Sequence, residues 1–301
     1  MGAAGGCQGG CMMQIGIFAR TFVRSTLEDI LDVIKAHGLS CVQFNMSCAG
    51  LSAMPDQIDP TLAAHIQQAM STRGITMAAI SGTFNMIDPN LCLRQEGLRR
   101  LGVLASACKR LGTSMITLCT GTRDPENMWR YHPDNNSPQA WDDLIASIGE
   151  ALRIAEQHDL LLAFEPEVAN VVDSPAKGRR LLDEMRSPRL KVVIDGANLF
   201  HAGELPRMHE VLEEAFRLLG EDIVIAHAKD LSHDGEAGHE AAGTGVLDYD
   251  DYLRLLTATG FDGPLILHSL SEAQAPECVA FLRRKLERQE SMGSVDALFH
   301  S

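Results

Sequence analysis

Eight short apolar runs alternate with eight amphipathic stretches along almost the whole chain, and this alternation constrains the fold more than any other feature. The runs are nearly all apolar, as strands are when a sheet is covered on both faces. The stretches between them have the 3.6-residue period of helices packed on one side. Eight strands, each followed by a helix, predict an α/β protein with the (β/α)8 TIM-barrel fold.

The predicted strands are 14–18, 41–45, 76–81, 115–119, 160–165, 191–195, 223–227 and 265–268. The predicted helices are 27–37, 60–73, 93–111, 140–158, 176–185, 208–219, 249–259 and 277–286. Four helix starts have sequence signals. Ser25 and Glu28 have capping-box spacing, and Asp59, Ser137 and Ser174 each precede a proline suited to the first helical position.

An open, doubly wound sheet is the alternative arrangement of such elements. It is disfavoured because no Gly-x-Gly-x-x-Gly sequence follows the first strand, which also disfavours dinucleotide binding. With no linker or change of composition, residues 13–290 are predicted to form a single domain. Residues 1–12 are predicted to be a disordered Gly-rich tail, in which Cys7 and Cys11 lack further metal ligands nearby, and 291–301 a C-terminal tail.

Charge and composition exclude several classes of partner. The 26 Lys and Arg residues against 40 Asp and Glu give a net charge of −14, which argues against a nucleic-acid partner held through its phosphates. No apolar run approaches the ~20 residues of a membrane-spanning helix, so no membrane association is expected. The N-terminus lacks the features of a signal peptide, and eight cysteines are too few for a disulfide scaffold. These features favour a cytoplasmic protein.

Polar residues end the last four predicted strands, where TIM barrels carry their chemistry. They are Glu165, Asp195, His227 and His268, spaced by 30, 32 and 41 residues, each close to one strand–helix unit. They are therefore expected to converge on one rim of the barrel. Carboxylates and imidazoles brought together in a dry pocket are costly unless they share a cation, so the pattern predicts a divalent metal site.

Several motifs accompany these residues across 13–286: Phe164-Glu165-Pro-Glu167, Val193-Ile-Asp195-Gly-Ala-Asn198, Ala226-His227-Ala-Lys229-Asp230, Gly243-Thr-Gly245-Val-Leu-Asp248 and Gly263-Pro-Leu-Ile-Leu-His268. With them the chain resembles the sugar phosphate isomerase/epimerase family of xylose isomerase-like TIM barrels. The resemblance implies a metal-dependent isomerase or epimerase of a sugar, sugar phosphate or polyol in carbohydrate metabolism. The family's usual metal ligands, a Glu, an Asp, a His and a second Glu on strands five to eight, correspond to Glu165, Asp195, His227 and, as a departure, His268.

The departure at His268 bears on the reaction, because in the family's epimerases the two glutamates also move the proton beside the carbonyl. Imidazole can replace the second glutamate both as a ligand and as an acid or base near neutral pH. Glu165 and His268 are therefore the predicted catalytic pair, acting through a metal-stabilised enediolate. A dehydratase or aldol-type reaction, or a non-catalytic sugar-binding barrel that has lost the second glutamate, remain open alternatives.

Another departure is Asn198, where the family often has a histidine. The related endonuclease IV type of DNA-repair enzyme needs three zinc ions, and only His239 matches its second ligand cluster, so that function is disfavoured. The residues predicted to contact substrate are Asn85, Arg123, Trp129, His132, Glu167, Asn198, Lys229 and His239. The predicted cofactor is one divalent ion, Mn²⁺ first, with Mg²⁺, Co²⁺ or Zn²⁺ possible. The expected partner is a small sugar or polyol, and a homo-oligomer is possible.

Overall fold

The computed structural model describes the backbone of residues 13–299 and the side chains of 13–289 and Ser291. The predictions for residues 1–12, including those for Cys7 and Cys11, lie outside the described residues. Eight parallel strands form a closed barrel in which each strand pairs with the next and the eighth pairs with the first. The strands are β1 (Gln14–Phe18), β2 (Cys41–Phe44), β3 (Thr76–Ser81), β4 (Met115–Cys119), β5 (Leu161–Glu165), β6 (Leu190–Asp195), β7 (Ile223–Asp230) and β8 (Pro264–Leu267).

Within residues 13–299, eight α-helices surround the barrel, so the predicted (β/α)8 fold is confirmed. They are α1 (Leu27–Ala36), α2 (Pro60–Ser71), α3 (Leu91–Leu111), α4 (Pro138–His158), α5 (Pro175–Met185), α6 (Met208–Leu219), α7 (Tyr249–Ala258) and α8 (Ala275–Phe299). Asp59, Ser137 and Ser174 cap their helices as predicted. The predicted Ser25 cap is wrong by one residue, because Thr26 accepts the hydrogen bond from the Asp29 amide.

Two elements extend beyond their predicted ends. β7 continues to Asp230, because a two-residue strand, Glu240–Ala241, pairs antiparallel with its last residues. α8 continues through Phe299, so most of the segment predicted as a C-terminal tail is helical. No proline follows Leu286 to stop that helix.

The barrel interior changes from apolar to polar within one two-residue step along most strands. A lower layer consists of the buried side chains Phe18, Cys41, Ala79, Ala163, Val193, Ile225 and Ile266. Two residues farther on, on the same face of their strands, are Gln43, Ser81, Glu165, Asp195, His227 and His268. The apolar layer thus forms a floor, and the polar side chains lie above it at the carboxyl ends of the strands.

Within residues 13–299, no helix is both long and apolar enough to cross a lipid bilayer.

Candidate functional site

The four residues predicted as metal ligands lie at the carboxyl ends of four adjacent strands. Asp195 and His227 are direct neighbours in the register between β6 and β7. The Nδ1 atom of His227 is 3.6 Å from Glu165 Oε1 and 3.7 Å from Asp195 Oδ2. Asp195, His227 and His268 each offer one ligand atom within 4.8 Å of the others. The group of three mutually close ligand atoms does not include Glu165, which adjoins it at His227.

Three of these side chains have a buried polar atom with no hydrogen-bond partner. They are Asp195 Oδ2, His227 Nδ1 and His268 Nδ1, which are three of the five such atoms among the described side chains. Buried polar atoms are normally paired, because leaving one unsatisfied costs about 1–3 kcal/mol. Their clustering beside Glu165 fits a metal ion, which would take several ligand atoms at once. Imidazole nitrogen and carboxylate oxygen are ligand atoms that divalent transition metals bind.

A hydrogen-bonded network inside the barrel sets the tautomer of His227. The amide nitrogen of Gln43 donates to Thr117 Oγ1 at 3.0 Å and to Ser81 Oγ at 3.3 Å. Its Oε1 atom, 3.0 Å from His227 Nε2, therefore acts as an acceptor. The proton of the neutral imidazole consequently lies on Nε2, and the Nδ1 lone pair faces Glu165 and Asp195, as in a metal-binding histidine held by an outer-shell partner.

Replacing Gln43 by methionine, which keeps the bulk but removes the acceptor, is expected to weaken Mn²⁺ binding by about 10–100-fold. Isothermal titration calorimetry measures the affinity, and ¹⁵N NMR of the imidazole reports the tautomer. Ser81→Ala is the matched control, because it removes only the longer bond to Gln43 and leaves the His227 contact intact. Unchanged Mn²⁺ affinity in Gln43→Met would contradict the role assigned to this network.

Lys229 and Asn198 link the carboxylates to one another. Lys229 Nζ donates to Asn198 Oδ1 at 2.7 Å and lies 3.2 Å from Asp195 Oδ2. The Asn198 amide donates in turn to Glu165 Oε1 at 2.6 Å. Asn198 and Lys229 are buried, so these contacts fix the position of Glu165.

The ionisation of the site reflects its burial and its crowded charges. Burial raises the pKa of Asp195, but Lys229 and His227 together hold it below its ordinary value. Burial lowers the pKa of His227, but the nearby carboxylates of Glu165 and Asp195 have the larger effect, so its pKa is above the ordinary value. Burial, and then the charge of Glu165, raises the pKa of Glu167 to about 7. Its raised pKa keeps His227 protonated at neutral pH when no metal is bound, so a divalent cation would take the place of that proton beside Glu165 and Asp195.

His268 has an environment different from that of His227. Burial, followed by the charges of Lys229 and His227, lowers its pKa well below the ordinary value, so its imidazole is neutral at pH 7. Its ring packs on Phe18, with centroids 4.6 Å apart. The next residue, Ser269, has φ of 52°, and unlike the other two non-glycine residues with positive φ it does not end a helix. Strained backbone of this kind is concentrated at functional sites.

A cavity of about 690 Å³ opens above these residues at the carboxyl end of the barrel. Among the predicted site residues, those in its wall are Glu165, Glu167, Asn198, His227, Lys229, His239, His268 and Trp129. Trp129 is 54% exposed and stands at the mouth with Tyr131. Asp195 is fully buried beside this wall. A cavity of this size suits a small ligand.

Three residues predicted to contact substrate lie outside the cavity wall. Arg123 forms an ion pair with Asp143 and donates to the Ile87 carbonyl oxygen at 3.0 Å. Asn85 exchanges hydrogen bonds with the backbone of Thr122. His132 caps a short 3-10 helix by accepting from the Asp134 amide. All three side chains hold the β3 and β4 loops, because their polar atoms are used by the protein itself.

The cavity wall also contains many residues that were not among the sequence predictions, including four polar ones on or after the first four strands. Gln43, Ser81 and Thr117 lie inside β2, β3 and β4, and Arg20 follows β1. Gln43 is a polar residue in an otherwise apolar strand, which is the signal that identifies it; Ser81 and Thr117 are small enough to pass for ordinary strand residues. Arg20 has no distinguishing sequence signal.

The comparisons with known proteins agree with this architecture. Residues 31–285 match the xylose isomerase-like TIM barrel family, and the chain belongs to that family. No curated protein sequence matches the chain.

Solved structures with the same fold include an L-ribulose 3-epimerase, at 17% identity, with 94% of this chain and 98% of that chain covered and a TM-score of 0.74. A D-tagatose 3-epimerase-like protein has 15% identity, coverage of 93% and 99%, and a TM-score of 0.74. The IolI protein, solved with a zinc atom, has 17% identity, coverage of 91% and 96%, and a TM-score of 0.69. At these identities the likeness concerns the fold.

Proposed function

We propose that this protein is a metal-dependent isomerase or epimerase that moves a proton beside the carbonyl group of a small sugar or polyol-derived ketone. The observation that carries the proposal is the cluster of ligand atoms without a hydrogen-bond partner on Asp195, His227 and His268, next to Glu165. The sugar epimerases among the proteins of the same fold support the substrate class.

The proposed cofactor is one divalent ion held by Glu165, Asp195, His227 and His268. Two imidazoles among four donors favour Mn²⁺, Co²⁺ or Zn²⁺ over Mg²⁺, which prefers oxygen ligands, and we take Mn²⁺ as the working assignment. The zinc atom in the IolI structure supports a transition metal. When bound, such an ion supplies Lewis acidity that polarises a carbonyl and makes the adjacent C–H bond more acidic.

Glu165 is the proposed base. Its side chain is 20% exposed and reaches the cavity, whereas that of Asp195 is wholly buried. The hydrogen bond from Asn198 to Oε1 holds the carboxylate in place, and Oε2 is free to accept a proton from the substrate carbon. That transfer leaves an enediolate on the substrate. The protonated Glu165 can return the proton to the former carbonyl carbon, while the proton of the adjacent hydroxyl passes to the former carbonyl oxygen.

His268 takes the place that a second glutamate would have in a two-carboxylate epimerase. Its neutral imidazole can complete the coordination, and its ring contacts those of Phe18 and His227. The arrangement therefore favours one-base isomerisation by Glu165 over symmetric two-base epimerisation. The alternative function, a sugar-binding barrel without activity, rests on the same substitution and predicts binding without proton transfer.

Proton exchange with solvent tests the proposal. Metal-free protein is loaded with Mn²⁺ and incubated in D₂O with D-ribulose, D-xylulose, D-tagatose and D-fructose, and deuterium uptake beside the carbonyl is followed by mass spectrometry. At least one ketose should gain deuterium with Mn²⁺-loaded protein and none with metal-free protein. Ketose binding without exchange would support the non-catalytic barrel, and neither binding nor exchange would exclude these four neutral ketoses as ligands.

A further inference from the structure

Arg20 lies on the opposite side of the cavity from the proposed base. It follows β1, and in a closed eight-stranded barrel β1 faces β5, which carries Glu165. The guanidinium carbon is 5.4 Å from the centroid of the Phe18 ring, which also contacts the imidazoles of His227 and His268. One aromatic ring therefore separates the Arg20 charge from the proposed metal ligands.

Arg20 differs from the other cations in the cavity wall in having no partner. Lys229 is engaged with Asn198 and Asp195, and Arg130 is engaged with Asp124 and Glu126. Among the described side chains, no carboxylate lies within ion-pair distance of Arg20, and its guanidinium donates no hydrogen bond to the protein. Arg20 is exposed at the edge of the cavity, and a planar group of donors without an anionic partner beside it is suited to bind the anion of a ligand.

Two neutral side chains share this part of the cavity wall. Asn45 follows β2 and Ser269 follows β8, the two strands that pair with β1. The Asn45 carbonyl oxygen accepts from the Ser47 amide, so its NH₂ group remains as the donor available to a ligand. The cavity is thus polarised, with carboxylates and proposed metal ligands at β5 to β8 and hydrogen-bond donors around β1.

Arg20 also borders a neighbouring cavity beside the start of α1, but that cavity does not suit an anion. Glu28 and Asp29 occupy the first turn of α1, and Thr26 already caps it. Arg24, the other arginine there, forms an ion pair with Glu272. The candidate cavity is therefore the side on which Arg20 would meet an anionic ligand.

We propose that the substrate is an anionic sugar whose carboxylate or phosphate group binds Arg20 while its α-hydroxy carbonyl end faces Glu165. The inference rests on the proposed function and adds the substrate class. A carboxylate and a phosphate monoester present the same paired oxygens to a guanidinium, so the experiment distinguishes the two sources.

Three matched ketoses serve as probes: D-fructose, D-fructuronate and D-fructose 6-phosphate. Their binding to metal-free and to Mn²⁺-loaded protein is measured by ligand-observed NMR, which does not require turnover. At least one anionic probe should bind about tenfold more tightly than D-fructose, since a charge-assisted bidentate contact has an effect of that order. The preference should decrease with added salt.

Arg20→Gln should abolish the preference and change D-fructose binding less than about twofold, and Arg20→Lys should retain part of it. Arg24→Gln is the matched control, because it removes the same charge from the neighbouring cavity and should keep the preference. Equal binding of the three probes, no binding of either anionic probe, or an equal loss for charged and neutral probes in Arg20→Gln would overturn the inference. A preference that persists without any deuterium exchange would leave Arg20 as an anion-binding residue and reject only the proposed reaction.

Discussion

Asp195→Asn is expected to lower Mn²⁺ affinity by more than about 100-fold, beyond the effect of losing an outer-shell partner. Asp195 is fully buried, its Oδ2 has no hydrogen-bond partner, and asparagine of the same shape would remove the charge that attracts the ion. Isothermal titration calorimetry and the metal content of protein purified without added metal measure the effect. The variant should also lose the rise in melting temperature that Mn²⁺ gives the unmodified protein.

Asp230→Asn is the matched control for this experiment. Asp230 is equally buried at the end of β7, but its carboxylate accepts from the backbone amides of Leu231, Gly243 and Leu247. Its replacement should reduce stability and leave Mn²⁺ binding within a few-fold of the unmodified protein. Equal losses of metal in the two variants would indicate a general disturbance of the barrel and count against Asp195 as a ligand.

Glu165→Gln is expected to reduce the rate of solvent exchange by about 1000-fold, within the range attributed to general-base catalysis. Glutamine can keep the hydrogen bond from Asn198 but cannot accept the carbon-bound proton. The readout is deuterium uptake by the ketose that responds best, measured at saturating substrate and Mn²⁺ so that weaker metal binding is separated from slower proton transfer.

Glu236→Gln is the matched control for Glu165→Gln, because Glu236 lines the same cavity but is engaged with His233. Its exchange rate should stay within about threefold of that of the unmodified protein, since surface carboxylate changes of this kind usually have small effects. Comparable rates in Glu165→Gln and Glu236→Gln at saturating Mn²⁺ would exclude Glu165 as the base.

The barrel could be predicted from the sequence because its strands are apolar on both faces. Its helices also show a clear 3.6-residue period of apolar residues and N-cap residues at their starts. The convergence of Glu165, Asp195, His227 and His268 was also predictable, since each follows an apolar run at the spacing of one barrel unit. Each signal is local, a polar residue at the end of an apolar strand, and it recurs once per strand–helix unit. Because the barrel closes, the ends of these strands meet at one rim and the residues form one site.

Side chains in long loops were harder to assign, because the sequence does not state which polar partner each will take. Arg123 suited a ligand by its chemistry, but in the fold it contacts Asp143 and a backbone carbonyl. His132 likewise became a helix cap. Conversely, Gln43 acquires its role only when closure of the barrel brings β7 to within three strands of β2, and its amide then meets His227 across the interior. Such contacts depend on distances across the barrel, which cannot be predicted from the pattern of neighbouring residues in the sequence.

Anomalous X-ray diffraction from crystals grown with Mn²⁺, with data collected on both sides of the manganese absorption edge, tests the proposed metal site most directly. We predict one strong peak among Asp195 Oδ2, His227 Nδ1, His268 and Glu165, at the distances of metal–ligand bonds. The absence of a peak there at saturating Mn²⁺, or a peak only at other residues, would contradict the proposed metal site.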